Sequence, residues 1–591
     1  MLTGNDESEY VMAEQLMHFD TQPRAVDEWL ENLPIAHIGE TARQIFMALR
    51  YVNKQEDIPV KHLYHFLEVM SQPLSLILPE LHKHFAGKPL PLSQKRRKVA
   101  DLYAQLLRQA ILGYEHVIAH SIELNRFGWK KVVTTSVHRI FYFSSLLLCS
   151  YRQLYMPYPK GMWQQLYWTY QLIEKYDLLG TKITGLGEQT DKSSISTEFM
   201  KLLLLSSLSP NLFKQEEIQE VIENMDIWLQ KISIDTSKHA DDSHTYAFAL
   251  ETDIPPGMLA NNMNSAENQL IDVRYINLGN LLQFINKSLS SSKPAESNVK
   301  LAWRRNISRR TMLILLNCWG RPASRDGERR IIQGTAEVAI GISAIHYIIS
   351  DGRGEPATGP LPVEQKADEK FSISTPVSNS HGSSLGLLGF TAERDEASDV
   401  WDSAYFEPEA PPPSWTESMR MKVYSYLNAK VLNISKGGFC IALPQNGIEH
   451  IQSGELLAIR GKTGQWQLGH IRWLMCPSDS AIRAGIKKLC QKIMPAQIHV
   501  KTESRHTQPI KCLVGEYENE QVLFLPNLPY GLTDKSVSLE LQGKKYKLDL
   551  LDQFIDTPVG SAHYISLQEQ DRRPAGKAAM GDGYEAIWAN L

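Results

Sequence analysis

The chain has 591 residues, 43% of them hydrophobic, and a formal net charge of −4. Its length allows two to four domains with sizeable cores, and its nearly balanced charge argues against nucleic-acid binding through overall charge. The acidic start of the chain lacks the apolar core of a secretory signal, and the apolar runs are shorter than a membrane span. The six cysteines have no Cys-x-x-Cys spacing. Scattered thiols of this kind are typical of a reducing compartment, so we expect a cytoplasmic protein without a membrane span.

The N-terminal half is predicted to be helical. We expect residues 1–20 to be a disordered N-terminus and residues 21–290 to form an all-helical domain, because apolar residues recur at helical spacing. One such stripe, at positions i, i+3, i+4 and i+7, consists of Ala42, Ile45, Phe46 and Leu49. The domain is expected to have one continuous core.

A linker helix is predicted over residues 298–320. Its first half carries a cluster of arginines, namely Arg304, Arg305, Arg309 and Arg310. We interpret this cluster as a solvated basic face, since most surface arginines have no partner that matters to function. An RNA-associated protein that uses this helix is a weaker alternative, and the preferred interpretation has no nucleic-acid partner.

The C-terminal half is predicted to be rich in β-structure. We expect one β-domain over residues 321–500, whose first strand includes Ala336–Ile349, and a smaller β-domain over residues 501–570. The tail, residues 571–591, ends in an apolar segment that is expected to dock on its own domain or to bind a protein partner. The fold class is therefore α+β.

A long insertion is predicted inside the first β-domain, over residues 352–415. It contains eight of the 30 prolines of the chain, many serines and glycines, and an acidic patch. Such a segment cannot bury enough apolar surface to offset the entropy of ordering, so we expect a disordered loop between the first two strands. A long surface loop lowers the stability of the fold only slightly, because the entropy lost on closing a loop grows only with the logarithm of its length.

Two short motifs in the first β-domain carry the chemistry of a possible ligand site. The first is an Arg-x-x-x-Arg spacing at Arg325 and Arg329, and two guanidinium forks can grip phosphates or the O6/N7 edge of guanine. Two alternatives remain open: Arg321 could act together with Arg325, and Arg330 could take the place of Arg329. The second motif adds an amide, a hydroxyl and two glycines that allow close backbone approach, at Asn433, Ser435, Gly437 and Gly438.

The ordered pair of motifs resembles the signature of the PilZ family of cyclic di-GMP receptors. Two later segments add to the resemblance, because Gly469-x-Ile-x-Trp473 and the strand around Gly485 resemble the last strands of a PilZ barrel. The resemblance implies an antiparallel PilZ-like barrel over residues 321–500, cyclic di-GMP as the ligand, and no further cofactor. The separation of the two motifs is larger than in a compact PilZ domain, which the predicted insertion explains.

The resemblance also implies a function. Long PilZ proteins of Gram-negative bacteria are associated with type IV pili and surface attachment, so a partner in the pilus machinery is expected for the helical domain or the tail. We predict no enzyme and no metal site, since the chain shows no nucleophile or zinc signature. The alternative is a scaffold protein with a degenerate PilZ fold that needs no ligand.

Overall fold

A computed structural model of the chain describes residues 19–569, with gaps. The gaps are residues 56, 125–127, 187–191, 210–211, 238–244, 259–271, 292–297, 300–306, 321–329, 352–354, 357–424, 449, 462–463, 479–480, 503–504, 507–508, 527–536 and 557–559. The chain divides into two compact units, drawn mainly from residues up to 323 and from residue 324 onward. Most of the predicted insertion and tail lie outside the described residues.

The N-terminal unit is built from helices, as predicted. In the described residues these are α1 Pro23–Glu31, α2 Ile38–Asn53, α3 Val60–Lys83, α4 Gln94–Leu124, α5 Trp129–Gln153, α6 Met162–Lys175, α7 Ile195–Ser207, α8 Gln215–Leu229, α9 Gly279–Ser291 and α10 Arg309–Trp319. The predicted stripe of α2 is buried, with Ala42, Ile45 and Leu49 at 0% exposure. Burial of such stripes, rather than helix propensity, supplies most of the stability of a helical domain.

Short strands also occur in this unit. They are β1 Lys182–Thr184, β2 Lys192–Ser194, β3 Ser233–Asp235, β4 Thr245–Ala249, β5 Gly257–Met258, β6 Val273–Asn277, β7 Asn298–Val299 and β8 Ile307–Ser308. They form a β1–β2 pair, a sheet in the order β3-β6-β4-β5 and a β7–β8 pair. The N-terminal unit is therefore mainly helical and also contains small sheets.

The linker helix is shorter than the predicted range 298–320. Its first part is replaced by the β7–β8 pair, and α10 begins at Arg309 because the Ser308 hydroxyl accepts a hydrogen bond from the Thr311 amide at 3.0 Å. Arg310 forms an ion pair with Glu217. Arg309 donates to the Leu289 carbonyl at 3.3 Å, so both described arginines of the predicted basic face make contacts within the unit.

One described helix, α5, is long and apolar enough to cross a membrane by length and composition alone. Within its most apolar window, 83% of the residues are buried inside the protein. Core helices of globular domains have the same character, because a helix packed on all sides is apolar all round.

The C-terminal unit begins with a closed antiparallel barrel, the first barrel. Its elements are β9 Arg330–Ile340, α11 Ile342–Asp351, β10 Glu355–Pro356, β11 Ser425–Ser435, β12 Gly438–Pro444, β13 Leu456–Gly461, β14 Gln467–Ser478 and β15 Ala481–Cys490. The strand order is β9-β11-β12-β15-β14-β13, and β13 pairs with β9 to close the ring. The short β10 adds to β11 in parallel.

The predicted strand Ala336–Ile349 is wrong in its second half. The strand ends at Ile340, Gly341 has a positive φ of 85°, and the helix α11 follows. Ile342, Ile345 and Ile348 recur every third residue and are buried on one side of that helix. A short apolar run does not distinguish a strand from a buried helix, which is why the sequence pattern was misleading here.

A second closed barrel follows. Its strands are β16 Ile493–Thr502, β17 Arg505–His506, β18 Ile510–Tyr517, β19 Glu520–Pro526, β20 Val537–Leu541, β21 Lys544–Asp556 and β22 Gly560–Glu569. Its order is β16-β18-β19-β22-β21-β20, and β20 pairs with β16 to close the ring. The C-terminal β-domain therefore begins at Ile493 rather than at residue 501, because the whole of β16 pairs within the second barrel.

The two barrels have the same strand order. If the six ring strands of each are labelled a to f in chain order, both rings read a-b-c-f-e-d with antiparallel neighbours throughout. They also share a core, in which α11 contributes Ile345 and the second barrel contributes Leu513 and Phe524. His346 on α11 contacts the Ala496 carbonyl at 3.1 Å. The barrels are therefore packed as one unit around α11.

Candidate ligand-binding site

The second predicted motif forms a tight hairpin between β11 and β12, which we call the motif hairpin (residues 433–438). Ser435 pairs with Gly438 across a two-residue turn, and Asn433 pairs with Cys440. The fully buried Ile441 faces the barrel interior, so alternation along β12 puts Cys440 and Gly438 on the outer face. Directly opposed residues share a face, so the Asn433 and Ser435 side chains also point outward.

The two polar side chains of the hairpin are held differently. The Ser435 hydroxyl donates to the Gly438 carbonyl at 3.4 Å and so helps to close the turn. Within the described residues the Asn433 amide has no hydrogen-bond partner, and the side chain is half-buried. Its carbonyl oxygen and amino group are therefore available to a ligand on the outer face.

The first motif meets the hairpin at the same end of the barrel. β9 pairs with β11 so that Ile331 is opposite Asn433 and Arg330 is opposite Ile434. Arg330 is exposed, and Ile331 is 87% exposed next to Asn433. Arg321, Arg325 and Arg329 lie outside the described residues. The described part of the motif therefore brings one arginine and one uncovered apolar side chain to the strand beside the motif hairpin.

The two motif glycines have different surroundings. A Cβ on Gly438 would lie 2.1 Å from the Ile486 carbonyl oxygen on β15, whereas a Cβ on Gly437 would meet nothing within 4 Å. Gly438 is therefore required by the close approach of two strands. Gly437 is exposed at the tip of the hairpin, and its carbonyl accepts from the Lys488 amide at 2.9 Å.

The later predicted segments are neighbouring strands of the first barrel. Trp473 on β14 pairs with Gly485 on β15. A Cβ on Gly485 would lie 1.9 Å from the indole Nε1 of Trp473, so the ring lies directly over the glycine. This contact explains why the sequence places a glycine and a tryptophan in successive strands.

Two lysines lie near the hairpin that the sequence patterns did not indicate as site residues. Lys488 Nζ lies 3.4 Å from the Ser435 carbonyl oxygen and 4.5 Å from the centre of the Phe439 ring. Burial lowers the pKa of Lys488 from its ordinary value, because a partly desolvated ammonium loses hydration. Lys487, one residue earlier, is paired with Gly438. The only sequence feature that could have indicated them is that two consecutive lysines directly follow Gly485 and Ile486 in the last strand.

The described residues contain no group of three or more His, Cys, Asp and Glu side chains that could hold a metal ion. His116 and His120, which share a helix face, interact within the helix instead, since His120 Nδ1 lies 2.8 Å from the His116 carbonyl oxygen. The site around the motif hairpin thus offers cations, an amide, a hydroxyl and an exposed apolar residue.

Comparisons of the sequence with known proteins found two family matches and one similar protein. Residues 24–239 match the family described as "Cyclic-di-GMP receptor FimW, N-terminal domain", and residues 245–495 match "Cyclic-di-GMP receptor FimW, middle PilZ domain". The second match ends where β16 of the second barrel begins. The chain is 23% identical to the cyclic-di-GMP receptor FimW of Pseudomonas aeruginosa over 601 aligned positions, which cover 98% of this chain and 97% of that protein. No solved structure matches the chain.

The two family matches together span most of the chain, and the barrel with the motif hairpin lies inside the second of them. The predicted resemblance to PilZ proteins is therefore confirmed, as is the α+β fold class. The chain belongs to the FimW family of cyclic-di-GMP receptors, with a helical N-terminal region and a PilZ domain.

Proposed function

We propose that this chain is a cytoplasmic, non-enzymatic receptor that binds cyclic di-GMP on the outer face of the first barrel. The observation that carries the proposal is the pairing of β9 with β11, which puts Ile331 opposite the outward-facing Asn433 and brings Arg330, at the end of β9, to the neighbouring position opposite Ile434. Arg325 and Arg329 belong to the same proposed site. Membership in a receptor family supports the choice of ligand.

Each part of the site suits one part of a cyclic dinucleotide. Guanidinium groups grip phosphates or the O6/N7 edge of guanine in bidentate fashion. The Asn433 amide can accept from the guanine amino group, and the exposed Ile331 offers an apolar surface to a purine face. Adenine presents an amino group where guanine presents O6, so an arginine fork meets it with the wrong polarity.

The output is proposed by family resemblance alone. We propose that the receptor regulates type IV pilus function or surface attachment through a protein partner of the helical region or of the tail. A ligand that contacts both the arginine segment and the motif hairpin can change the state of the protein only through its different affinity for the two states.

The alternative is a ligand-independent scaffold. One observation favours it: Gly438 is explained by its approach to Ile486, and the Ser435 hydroxyl by its contact within the turn. Neither residue needs a ligand to account for its presence. The Asn433 amide and the exposed Ile331 have no such explanation in the fold, so the receptor remains the better proposal.

A ligand-dependent melting experiment tests the two proposals. A ligand that binds only the folded state raises the melting temperature with concentration, by a free energy of RT ln(1 + [L]/Kd). We expect cyclic di-GMP to raise the melting temperature of the native chain, with Asn433→Ala showing a smaller rise and Arg43→Ala, a surface control on α2, showing the full rise. No rise at any concentration would favour the scaffold.

A further inference from the structure

A polar row crosses four strands of the first barrel beside the motif hairpin. Ser435 on β11 is paired with Gly438 on β12, Gly438 with Lys487 on β15, and Lys487 with His470 on β14. Paired residues of adjacent strands share a face, so all four positions lie on the outer face. The row extends the proposed site sideways, from the hairpin toward the last strand of the barrel.

The glycine in this row leaves a gap. Ser435 and Lys487 are separated by two strand spacings, about 10 Å, with no side chain between them. Gly438 cannot be exchanged for a larger residue without a clash with Ile486, so the gap is fixed by strand packing. Lys487 and Ser435 therefore flank an open stretch of backbone, and a phosphodiester can enter such a space.

Lys487 is held in place from outside the first barrel. Its Nζ lies 3.4 Å from the hydroxyl of Tyr517 and 5.7 Å from the centre of the same ring. Tyr517 ends β18 at the hairpin to β19 in the second barrel. No carboxylate of the described residues forms an ion pair with Lys487. The ammonium is thus oriented by the neutral hydroxyl of Tyr517, and its positive charge can attract an anion.

The orienting residue is itself fixed. Tyr517 is half-buried against the core shared by the two barrels, and its hydroxyl also interacts with the Glu518 carboxylate. Burial, with Glu518 as a smaller contribution, raises the pKa of Tyr517, so the hydroxyl stays protonated and can accept from Lys487. The position of the Lys487 ammonium therefore depends on the second barrel.

We propose that Lys487 binds a phosphodiester of the cyclic dinucleotide held by the motif hairpin, and that Tyr517 of the second barrel is a positioning residue for Lys487. This inference rests on the proposed function and deepens it. The second barrel then contributes to ligand affinity without carrying either motif. Lysine suits this role because it binds phosphate as a point charge and needs no bidentate geometry.

The first test measures cyclic di-GMP affinity by calorimetry. Lys487→Met keeps the length of the side chain and removes its charge, and we expect roughly tenfold weaker binding, the usual loss for one charged contact. The salt dependence of the affinity should also become shallower, because one fewer ion pair is screened. Lys511→Met, an exposed lysine of β18 far from Tyr517 along the strand, should leave affinity and salt dependence unchanged.

The second test separates positioning from general support of the fold. Tyr517→Phe should weaken binding a few-fold in the native chain and have no effect in the Lys487→Met background, because the hydroxyl acts through the lysine. A Tyr517→Phe effect of equal size in both backgrounds would overturn the positioning role. Wild-type affinity of Lys487→Met would overturn the whole inference.

A third test needs no substitution and so does not depend on the folding of variants. Acetylation of individual lysines is followed by mass spectrometry with and without cyclic di-GMP. We expect the ligand to slow the acetylation of Lys487 and to leave Lys511 unaffected. One outcome would overturn only this inference: the native chain binds the ligand, Asn433→Ala weakens that binding, and Lys487 is acetylated at the same rate with and without the ligand. If the native chain does not bind the ligand at all, the proposed function fails as well.

Discussion

The two barrels have the same strand order but opposite chemistry at the same hairpin. In the first barrel the hairpin between strands b and c reads Asn433-Ile-Ser-Lys-Gly-Gly438, and in the second it reads Gly515-Glu-Tyr-Glu-Asn-Glu520. Ser435 pairs with Gly438 across the turn in one, and Tyr517 pairs with Glu520 in the other. Tyr517 is therefore the counterpart of Ser435, and the cationic turn is replaced by an acidic one.

The comparison indicates that the residues proposed to bind phosphate do not follow from the fold alone. The second barrel closes equally well with three glutamates at its hairpin and with Cys490-Gln491-Lys492 before its first strand, where the first barrel has arginines. A hairpin with that charge offers no cation of its own to a phosphate. A few residues on a common scaffold thus determine the chemistry of a site. In our proposal the second barrel contributes only Tyr517, which positions Lys487 of the first barrel.

The largest effect is expected from the arginines that the second barrel lacks. Arg325→Ala and Arg329→Ala should each weaken cyclic di-GMP binding roughly 10- to 100-fold, and the double variant should lose measurable binding. Calorimetric titration measures the loss, and Arg43→Ala is the matched surface control. If Arg321→Ala or Arg330→Ala does greater harm, a different arginine pair makes the contacts.

A second prediction concerns the glycine that the second barrel replaces by Glu520. Gly438→Ala should destabilise the chain by about 2 kcal/mol, because a Cβ there overlaps a backbone oxygen that cannot move freely. Gly437→Ala is the control, since its Cβ would enter open space. Denaturant unfolding measures both. Equal stability of the two variants would mean that the strands do not approach each other as closely as described.

A third prediction exchanges the charge of the hairpins. Lys436 is exposed at the tip of the motif hairpin, and Lys436→Glu gives it the charge of Glu518 at the equivalent position. We expect cyclic di-GMP binding to weaken about tenfold at low salt and less at high salt, where exposed charges are screened. The reciprocal Glu518→Lys should create no second site. A second binding event in that variant would show that charge alone decides.

The smallest effect is expected from the connection between strands a and b. It is short in the second barrel, between β16 and β18, and long in the first, where it includes the predicted insertion. Replacing residues 357–411 by a short Gly/Ser linker, which keeps β10, should leave affinity and stability nearly unchanged, since each halving of a flexible loop changes closure entropy by about 0.6 kcal/mol. Limited proteolysis and titration check this. Loss of binding would mean that the segment belongs to the site.

Much of the fold follows from local patterns in the sequence. The helical spacing of α2 and the glycine and tryptophan of β14 and β15 are signals that neighbouring residues carry. The closure of the second barrel is not visible in this way, because it depends on the pairing of β16 with β20, far apart in the chain. The helix α11 was mistaken for a strand because its apolar run is short.

The candidate site was predictable only in part. Asn433 and Ser435 have a recognisable spacing, and the structure puts Ile331 of β9 opposite Asn433, with Arg330 at the next position. Lys487 and Tyr517 have no spacing that connects them, because their contact is made between two barrels. The role of Gly438 in strand packing required the position of the Ile486 carbonyl, which no sequence pattern gives.

One measurement tests the central claim most directly: a calorimetric titration of the native chain with cyclic di-GMP and, separately, with cyclic di-AMP. A site that reads guanine through arginine forks should give a saturable isotherm with cyclic di-GMP and bind cyclic di-AMP at least about tenfold more weakly, since each lost bidentate contact costs about 1 to 3 kcal/mol. Equal binding of the two dinucleotides, or no binding of either, would contradict the account.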